Sequence, residues 1–350
     1  RITRQSTHSI TLKFIPMNFS FWLKALRIIP RIDKEEWNKL DFISKWLVLS
    51  RSAVFVITLI PSFIVAILSY LNGKFNFLNW IMLTIGLVFA HALNNMLNDF
   101  TDYIKGVDKD NYFRAQYGPH ALEHKLVSKK EFFIYVLFTA IIALIPAIYF
   151  IYLRGISALI LVLIGSFFVL FYTYPLKYIG LGELSVLIVW GPLMIGGGYY
   201  AITNEWNMNV FLMSFIYSLG ATSVLFGKHI DKYEDDKSRG IRTFPVIIGK
   251  RNARILNIII MALQYILTIY LVLIGFFKFT MLVVLFSLYW FFKNVLKAYL
   301  SEKPKEKPSD YPDNVWPLWY VAFAFDHNKK FGYFFLVGLL LEVILSLFSK

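Results

Sequence analysis

The 350-residue chain contains no cysteine, which excludes disulfides, thiolate nucleophiles and cysteine-based metal sites. Its six histidines leave little with which to build a zinc or copper centre. Acids are scarce as well: 22 Asp and Glu stand against 36 Lys and Arg. Charged residues make up only 17% of the chain, against about 25% in an average soluble domain, while 57% is hydrophobic. One water-soluble globule has nowhere to bury so much Phe, Leu and Ile, and a disordered chain needs low hydrophobicity. The class that remains is a polytopic membrane protein.

Spanning a bilayer core takes roughly 20 mostly apolar residues per helix. Nine such runs lie near residues 52–71, 78–97, 131–152, 156–173, 181–202, 208–227, 255–275, 279–296 and 331–348. They are continuous rather than alternating, which predicts an all-α bundle rather than a transmembrane barrel. With these spans, 32 of the 36 basic residues fall on one side, and only Lys74, Arg154, Lys278 and Lys350 on the other. That asymmetry places the N-terminus and the long basic loops in the cytoplasm of a multi-pass cell-membrane protein. The net charge of +14 is therefore an orientation signal, and no nucleic-acid partner is expected. The stretch before the first span lacks the apolar core and small-residue cleavage site of a signal peptide, and its opening on Arg1 predicts a native start upstream. Phe19, Trp22, Leu23, Leu26 and Ile29 recur at helical spacing beside Lys24 and Arg27. Residues 1–45 thus read as an amphipathic interfacial segment on the bilayer, and 46–350 as the transmembrane domain. Asp33 and Glu36 have the spacing of a capping box.

The few acids are concentrated in two clusters. The first, Asn98-Asp99-Phe100-Thr101-Asp102 through Asp108, follows the second span. A helix continuing through Asp102 puts Asn94, Asn98 and Asp102 on one face, with Asp99 beside Asp102. The second cluster, Asp231 to Lys237, follows the sixth span and places Asp231, Glu234 and Asp235 on one face. Like charges at these spacings oppose helix formation, and more so near lipid. Each cluster alone has an ordinary reading as an acidic helix end countered by Lys. Two of them at one membrane face suit Mg²⁺, a hard cation that binds through one or two carboxylates and keeps substrate phosphate oxygens. Within the second span, His91 and Asn95 are either functional groups or helix–helix hydrogen-bonding groups. Glu342 reads as a helix contact or an outward-end snorkelling residue.

Asn98 to Asp108 resembles the first signature of the UbiA superfamily of intramembrane prenyltransferases, in the form seen in its 1,4-dihydroxy-2-naphthoate branch. Tyr172-Thr173-Tyr174-Pro175-Leu176-Lys177-Tyr178 with Gly180 to Glu183 is similar to that branch's turn into its fifth helix. Gly191-Pro192, Tyr199-Tyr200, Trp316 to Trp319 and His327 to Gly332 extend the likeness from about residue 45 to the end of the chain. The resemblance implies nine transmembrane helices around a central cavity capped by cytoplasmic loops. It also implies Mg²⁺-dependent transfer of a prenyl group from an allylic prenyl diphosphate to an aromatic quinone precursor. Asp102, Lys177 and Tyr174 would be catalytic. Asn98, Asp99, Tyr174 and Lys177 would contact the diphosphate, joined by Lys228 and Arg239 beside the second cluster. Asn98, Asp99, Asp102 and Asp108 would hold metal, together with a set drawn from Asp231, Asp235 and Asp236.

Departures from the family pattern leave choices open. Gly240, Thr243 and Pro245 fix the tail of the second signature so that Asp236 is its later carboxylate, with Lys232 where the earlier one falls. Pairing Asp231 with Asp235 keeps the spacing but shifts that tail by one residue, and Glu234 is a fourth candidate. His120 follows Gly118-Pro119 where the branch carries Arg: a pH-sensitive group, an acceptor contact or a loop residue. Arg51 lacks the Pro that follows the equivalent Arg in the family, which counts against a diphosphate role. Ether-lipid synthesis, with a glycerol-phosphate hydroxyl as acceptor, is the alternative within the superfamily. The alternative from another class is a cation transporter using the acid clusters.

Overall fold

In lipid every backbone N–H and C=O must find its partner inside the segment, so long apolar runs fold as helices. The computed structural model of the protein describes residues 16–106, 120–312 and 315–348, and among these it contains helices and no strand. Three short helices lead in: α1 (Phe19–Arg27), α2 (Lys34–Asn38) and α3 (Phe42–Leu49). Eight helices are long and apolar enough to cross a membrane: α4 (Ser52–Leu71), α5 (Phe77–Lys105), α6 (Lys129–Arg154), α8 (Gly182–Thr203), α9 (Met208–Asp231), α12 (Lys250–Leu273), α13 (Phe279–Leu300) and α14 (Tyr320–Phe348). The remaining expected span, 156–173, is the 16-residue helix α7 (Ile156–Phe171). At 1.5 Å per residue α7 is about 24 Å long, short of the ~30 Å hydrocarbon core. Two small helices, α10 (Tyr233–Ser238) and α11 (Phe244–Ile248), lie between α9 and α12.

The central helix is α9, which packs against α8, α12 and α14. Small residues permit the close approaches. A Cβ on Gly227 would lie 2.8 Å from the Tyr299 hydroxyl and the Tyr320 carbonyl. One on Gly191 would lie 2.6 Å from Ser218 Oγ, where α8 presses on α9. Around Pro192 the α8 backbone opens into a π-helical stretch, Val189–Gly197, because proline removes an i→i−4 donor and crowds the preceding turn.

A second apolar core joins the lead-in helices to α5 and α6 through Trp37, Trp46, Met96, Phe132 and Tyr135. The capping box is present: Asp33 accepts from the Glu36 amide at 2.8 Å, and Glu36 from the Asp33 amide at 3.3 Å. One buried carboxylate organises the segment. Asp41 accepts hydrogen bonds from the Asn18 amide, the Trp22 indole, and both the amide and hydroxyl of Ser44. Burial works against its ionisation, but these donors outweigh it and hold the carboxyl below its usual 3.8. A carboxyl depressed on folding stabilises the fold above its unfolded pKa, and that contribution is lost as pH falls through the folded value. Acidification below about pH 4 is therefore expected to release the α1–α3 contact. Limited proteolysis within residues 16–51 should rise there in the native protein, and be high at every pH in Asp41→Ala.

Candidate functional site

The helical period of α5 brings the first acid motif together as a stripe. Asn94 Nδ2 donates to the Val169 carbonyl at 3.0 Å, Asn98 Nδ2 donates to Thr173 Oγ1 at 2.9 Å, and Asp102 faces Lys177 Nζ at 3.6 Å. Positions 94, 98 and 102 thus meet 169, 173 and 177, the first at the end of α7 and the other two in the turn that follows it. Asp99, one step round the helix, pairs with the Arg51 guanidinium, which also lies 3.5 Å from Asn98 Oδ1. Asp99 and Asp102 are each only 5% exposed, and each of these two carboxylates, three residues apart, lies beside a cation that compensates it out of water.

Arg51 belongs to this site, although the missing Pro argued otherwise. It stands at the junction of α3 and α4 with φ +56° and ψ +48°, a left-handed conformation that costs a non-glycine residue about 1–3 kcal/mol. Asn95 Nδ2 donates to the neighbouring Ser50 carbonyl at 2.9 Å and helps hold this bend. The break in the helix, rather than a proline, aims Arg51 at the motif. His120 is 2% exposed, with Nε2 3.1 Å from the Asp99 carbonyl. It supports the end of α5 and is not a solvated loop residue. Asp108, Gly118 and Pro119 lie outside the described residues.

The turn from Tyr172 to Leu181 links the two acid regions. Lys177 reaches Asp102 from one side of it, and the Tyr178 carbonyl accepts from the Arg242 amide at 3.2 Å on the other. At its apex Gly180 has φ +83°, and a Cβ there would meet Ile247 at 2.2 Å. Just beyond, Glu183 Oε1 is 2.7 Å from His229 Nδ1, both side chains being buried. Tyr174 is half exposed, and Lys105 Nζ sits 3.6 Å above its ring in a cation–π contact.

The second cluster does not form the single acidic face expected of it. α9 ends at Asp231, and α10 starts a new axis at Tyr233. The Asp231 carboxylate accepts from the amides of Trp319, Tyr320 and Val321 at 3.0, 3.1 and 3.0 Å. It thereby caps the start of α14 from another helix. Glu234, Asp235 and Arg239 are exposed, and Lys228 is half-buried. Asp236 is buried and pairs with Lys232 at 3.3 Å. Among the described residues no three His, Asp or Glu side chains converge as a ready-made metal site. Asp99, Asp102 and Asp236 instead each face a cation of the chain. Three carboxylate oxygens stand apart, buried and accepting no hydrogen bond: Asp102 Oδ1 at the first motif, Asp236 Oδ2 at the second, and Glu183 Oε2 between them in sequence. An all-oxygen donor set with one free carboxylate oxygen at each motif fits a hard dication that takes its remaining ligands from water and phosphate.

Comparison with known proteins places the fold. The UbiA prenyltransferase family model matches residues 58–325. A UbiA prenyltransferase domain-containing protein 1 homolog of Drosophila melanogaster is 23% identical over 219 residues, 59% of each chain. A 1,4-dihydroxy-2-naphthoate octaprenyltransferase of Haemophilus influenzae is 23% identical over 242 residues, 66% of this chain and 77% of that one. The fold is similar to that of a digeranylgeranylglyceryl phosphate synthase, with a TM-score of 0.59 and 17% identity over 86% of this chain and 98% of that one. It is also similar to a UbiA homolog from Archaeoglobus fulgidus bound to GPP and Mg²⁺, with a TM-score of 0.54 and 16% identity over 84% and 99%. The chain belongs to the UbiA prenyltransferase family.

Proposed function

We propose that this protein transfers a prenyl group from an allylic prenyl diphosphate to an aromatic acceptor of the 1,4-dihydroxy-2-naphthoate type, with Mg²⁺ as cofactor. The observation that carries the reading is the ion-paired motif itself. Asn98, Asp99 and Asp102 are held between Arg51 and Lys177, so oxygen ligands for a metal lie beside point charges for a leaving phosphate. Asp102 and Asp236, each with a free carboxylate oxygen, and Asn98 are the residues to hold the ion. When bound, Mg²⁺ supplies neutralisation of the charge that develops on departing diphosphate. Lys177 and Arg51 then exchange a carboxylate partner for phosphate oxygens, which keeps every buried charge compensated. The allylic C–O bond breaks with its electron pair going to diphosphate. The ring carbon forms the new C–C bond, and the ring carboxylate leaves as CO₂. The apolar bundle keeps water from the allylic cation. The orientation signal in the basic loops supports placing this site at the cytoplasmic face.

The test is incubation of purified protein with radiolabelled geranylgeranyl diphosphate, Mg²⁺ and a panel of acceptors. Transfer to dihydroxynaphthoate, abolished by EDTA and accompanied by CO₂ release, is the expected result. Transfer only to a glycerol-phosphate acceptor would replace this reading with ether-lipid synthesis, and no Mg²⁺-dependent transfer to any acceptor would overturn it.

A further inference from the structure

His91 lies on α5 seven residues before Asn98, about 10 Å further into the bundle, and the diphosphate machinery makes no use of it. One ring nitrogen is anchored: Nδ1 is 2.7 Å from Thr58 Oγ1, and Thr58 is fully buried. The other, Nε2, makes no hydrogen bond among the described residues. The ring stands edge-on to Trp190, with centroids 5.3 Å apart at 89°, and tilted against Phe55 at 5.8 Å. His91 and Trp190 are both half-buried. Seven residues are close to two helical turns, so His91 and Asn98 of the diphosphate-binding motif lie on one face of α5.

The surrounding backbone is built to keep that wall in place. Trp190 comes from the π-helical stretch of α8, a distortion frequent at functional sites. Its neighbour Gly191 is pressed against Ser214 and Ser218 of α9. Beside Thr58, the Tyr217 hydroxyl of α9 donates to the Ile57 carbonyl at 2.6 Å. Three transmembrane helices, α4, α5 and α8, therefore meet at one imidazole flanked by two aromatic rings, and α9 braces two of them.

We propose that His91, steadied by Thr58 and walled by Trp190 and Phe55, recognises a ring hydroxyl of the aromatic acceptor. An apolar pocket orients a flat ligand through a small number of placed polar groups, and aromatic walls favour an aromatic guest. A phenolic hydroxyl both donates and accepts, so it satisfies Nε2 whichever tautomer the Thr58 contact selects. This inference rests on the prenyl-transfer reading, because only an acceptor ring needs a polar anchor below the diphosphate.

The test is His91→Phe, which keeps an aromatic ring and removes the nitrogens. The KM for 1,4-dihydroxy-2-naphthoate should rise about tenfold, the size expected for one lost hydrogen bond to an otherwise unpaired polar group. The KM for geranylgeranyl diphosphate should stay the same, as should the thermal stabilisation which that diphosphate confers. Calorimetric binding of dihydroxynaphthoate to Mg²⁺-free protein should weaken by the same factor, a readout independent of turnover. His91→Gln, which retains a hydrogen-bonding group, should recover most of the affinity and serves if the Phe variant does not fold. An active variant with unchanged acceptor KM, or with both KM values raised together, would overturn the role of His91 alone. Failure of the native protein to transfer to any aromatic acceptor would remove the underlying reading as well.

Discussion

Asp102→Asn is expected to lower prenyl transfer by at least about 100-fold, an effect of the size seen when a metal-held charge clamp is lost. The substitution keeps the side chain's shape and deletes its charge. Two consequences follow from the geometry. The Asp102 oxygen without a partner no longer offers a carboxylate to a dication. Lys177, 3.6 Å away and nearly buried, keeps its charge without the neighbour that compensates it. Single-turnover transfer with saturating prenyl diphosphate measures the loss directly. Lys177→Met should be similarly damaging, and the double variant should be far less impaired than the product of the two, because both changes dismantle one pair. Asp235→Asn provides the contrast. Its carboxylate is exposed, and transfer should change by less than about threefold, as for a surface substitution away from the site. Full activity in Asp102→Asn would remove the metal role from the first motif.

The stripe of Asn94, Asn98 and Asp102 was legible because it depends only on the period of a helix. Its partners are not set by a second helical period: Val169 lies in α7, and Thr173 and Lys177 lie in the turn that follows it. Arg51 was not legible in this way. What aims it is a left-handed residue at a helix junction, held by Asn95 from the next helix, and neither feature has a local signature. The ambiguity among Asp231, Asp235 and Asp236 had the same origin. Six of the seven residues from Asp231 to Lys237 are charged, and spacing alone cannot rank them. Their roles are assigned by contacts far away in sequence: Trp319 lies 88 residues beyond Asp231. The short α7 shows a related effect. Its apolar run looked long enough to span, but Gly155, with φ +63° at its N-cap, and the turn that begins at Tyr172 cut the helix to 16 residues.

Asp231→Ala separates an anchoring carboxylate from a metal-binding one. Three backbone amides at the start of α14 converge on Asp231, where the helix carries its positive dipole end. Removing the side chain leaves those amides without their acceptor and the first turn of a 29-residue helix without its cap. Hydrogen bonds to a charged group contribute about 1.5–3 kcal/mol each when isolated and overlap when they share one acceptor. The expected destabilisation is therefore about 3–5 kcal/mol, comparable to breaking a buried charged pair. Thermal unfolding in detergent should show it as a large fall in midpoint, with Asp231→Asn intermediate because one carboxamide oxygen still accepts. Transfer per folded molecule, measured well below that midpoint, should fall less than about tenfold, since no metal or phosphate contact is removed. Asp236→Asn should behave in the opposite manner: it removes a buried carboxylate with a free oxygen, so transfer should collapse while the midpoint moves little. If Asp231→Ala instead abolished transfer without loss of stability, the second metal-binding carboxylate would be Asp231 and the cap of α14 incidental. The two variants together thus decide which of the carboxylates crowded at the end of α9 performs chemistry and which holds α14 in place.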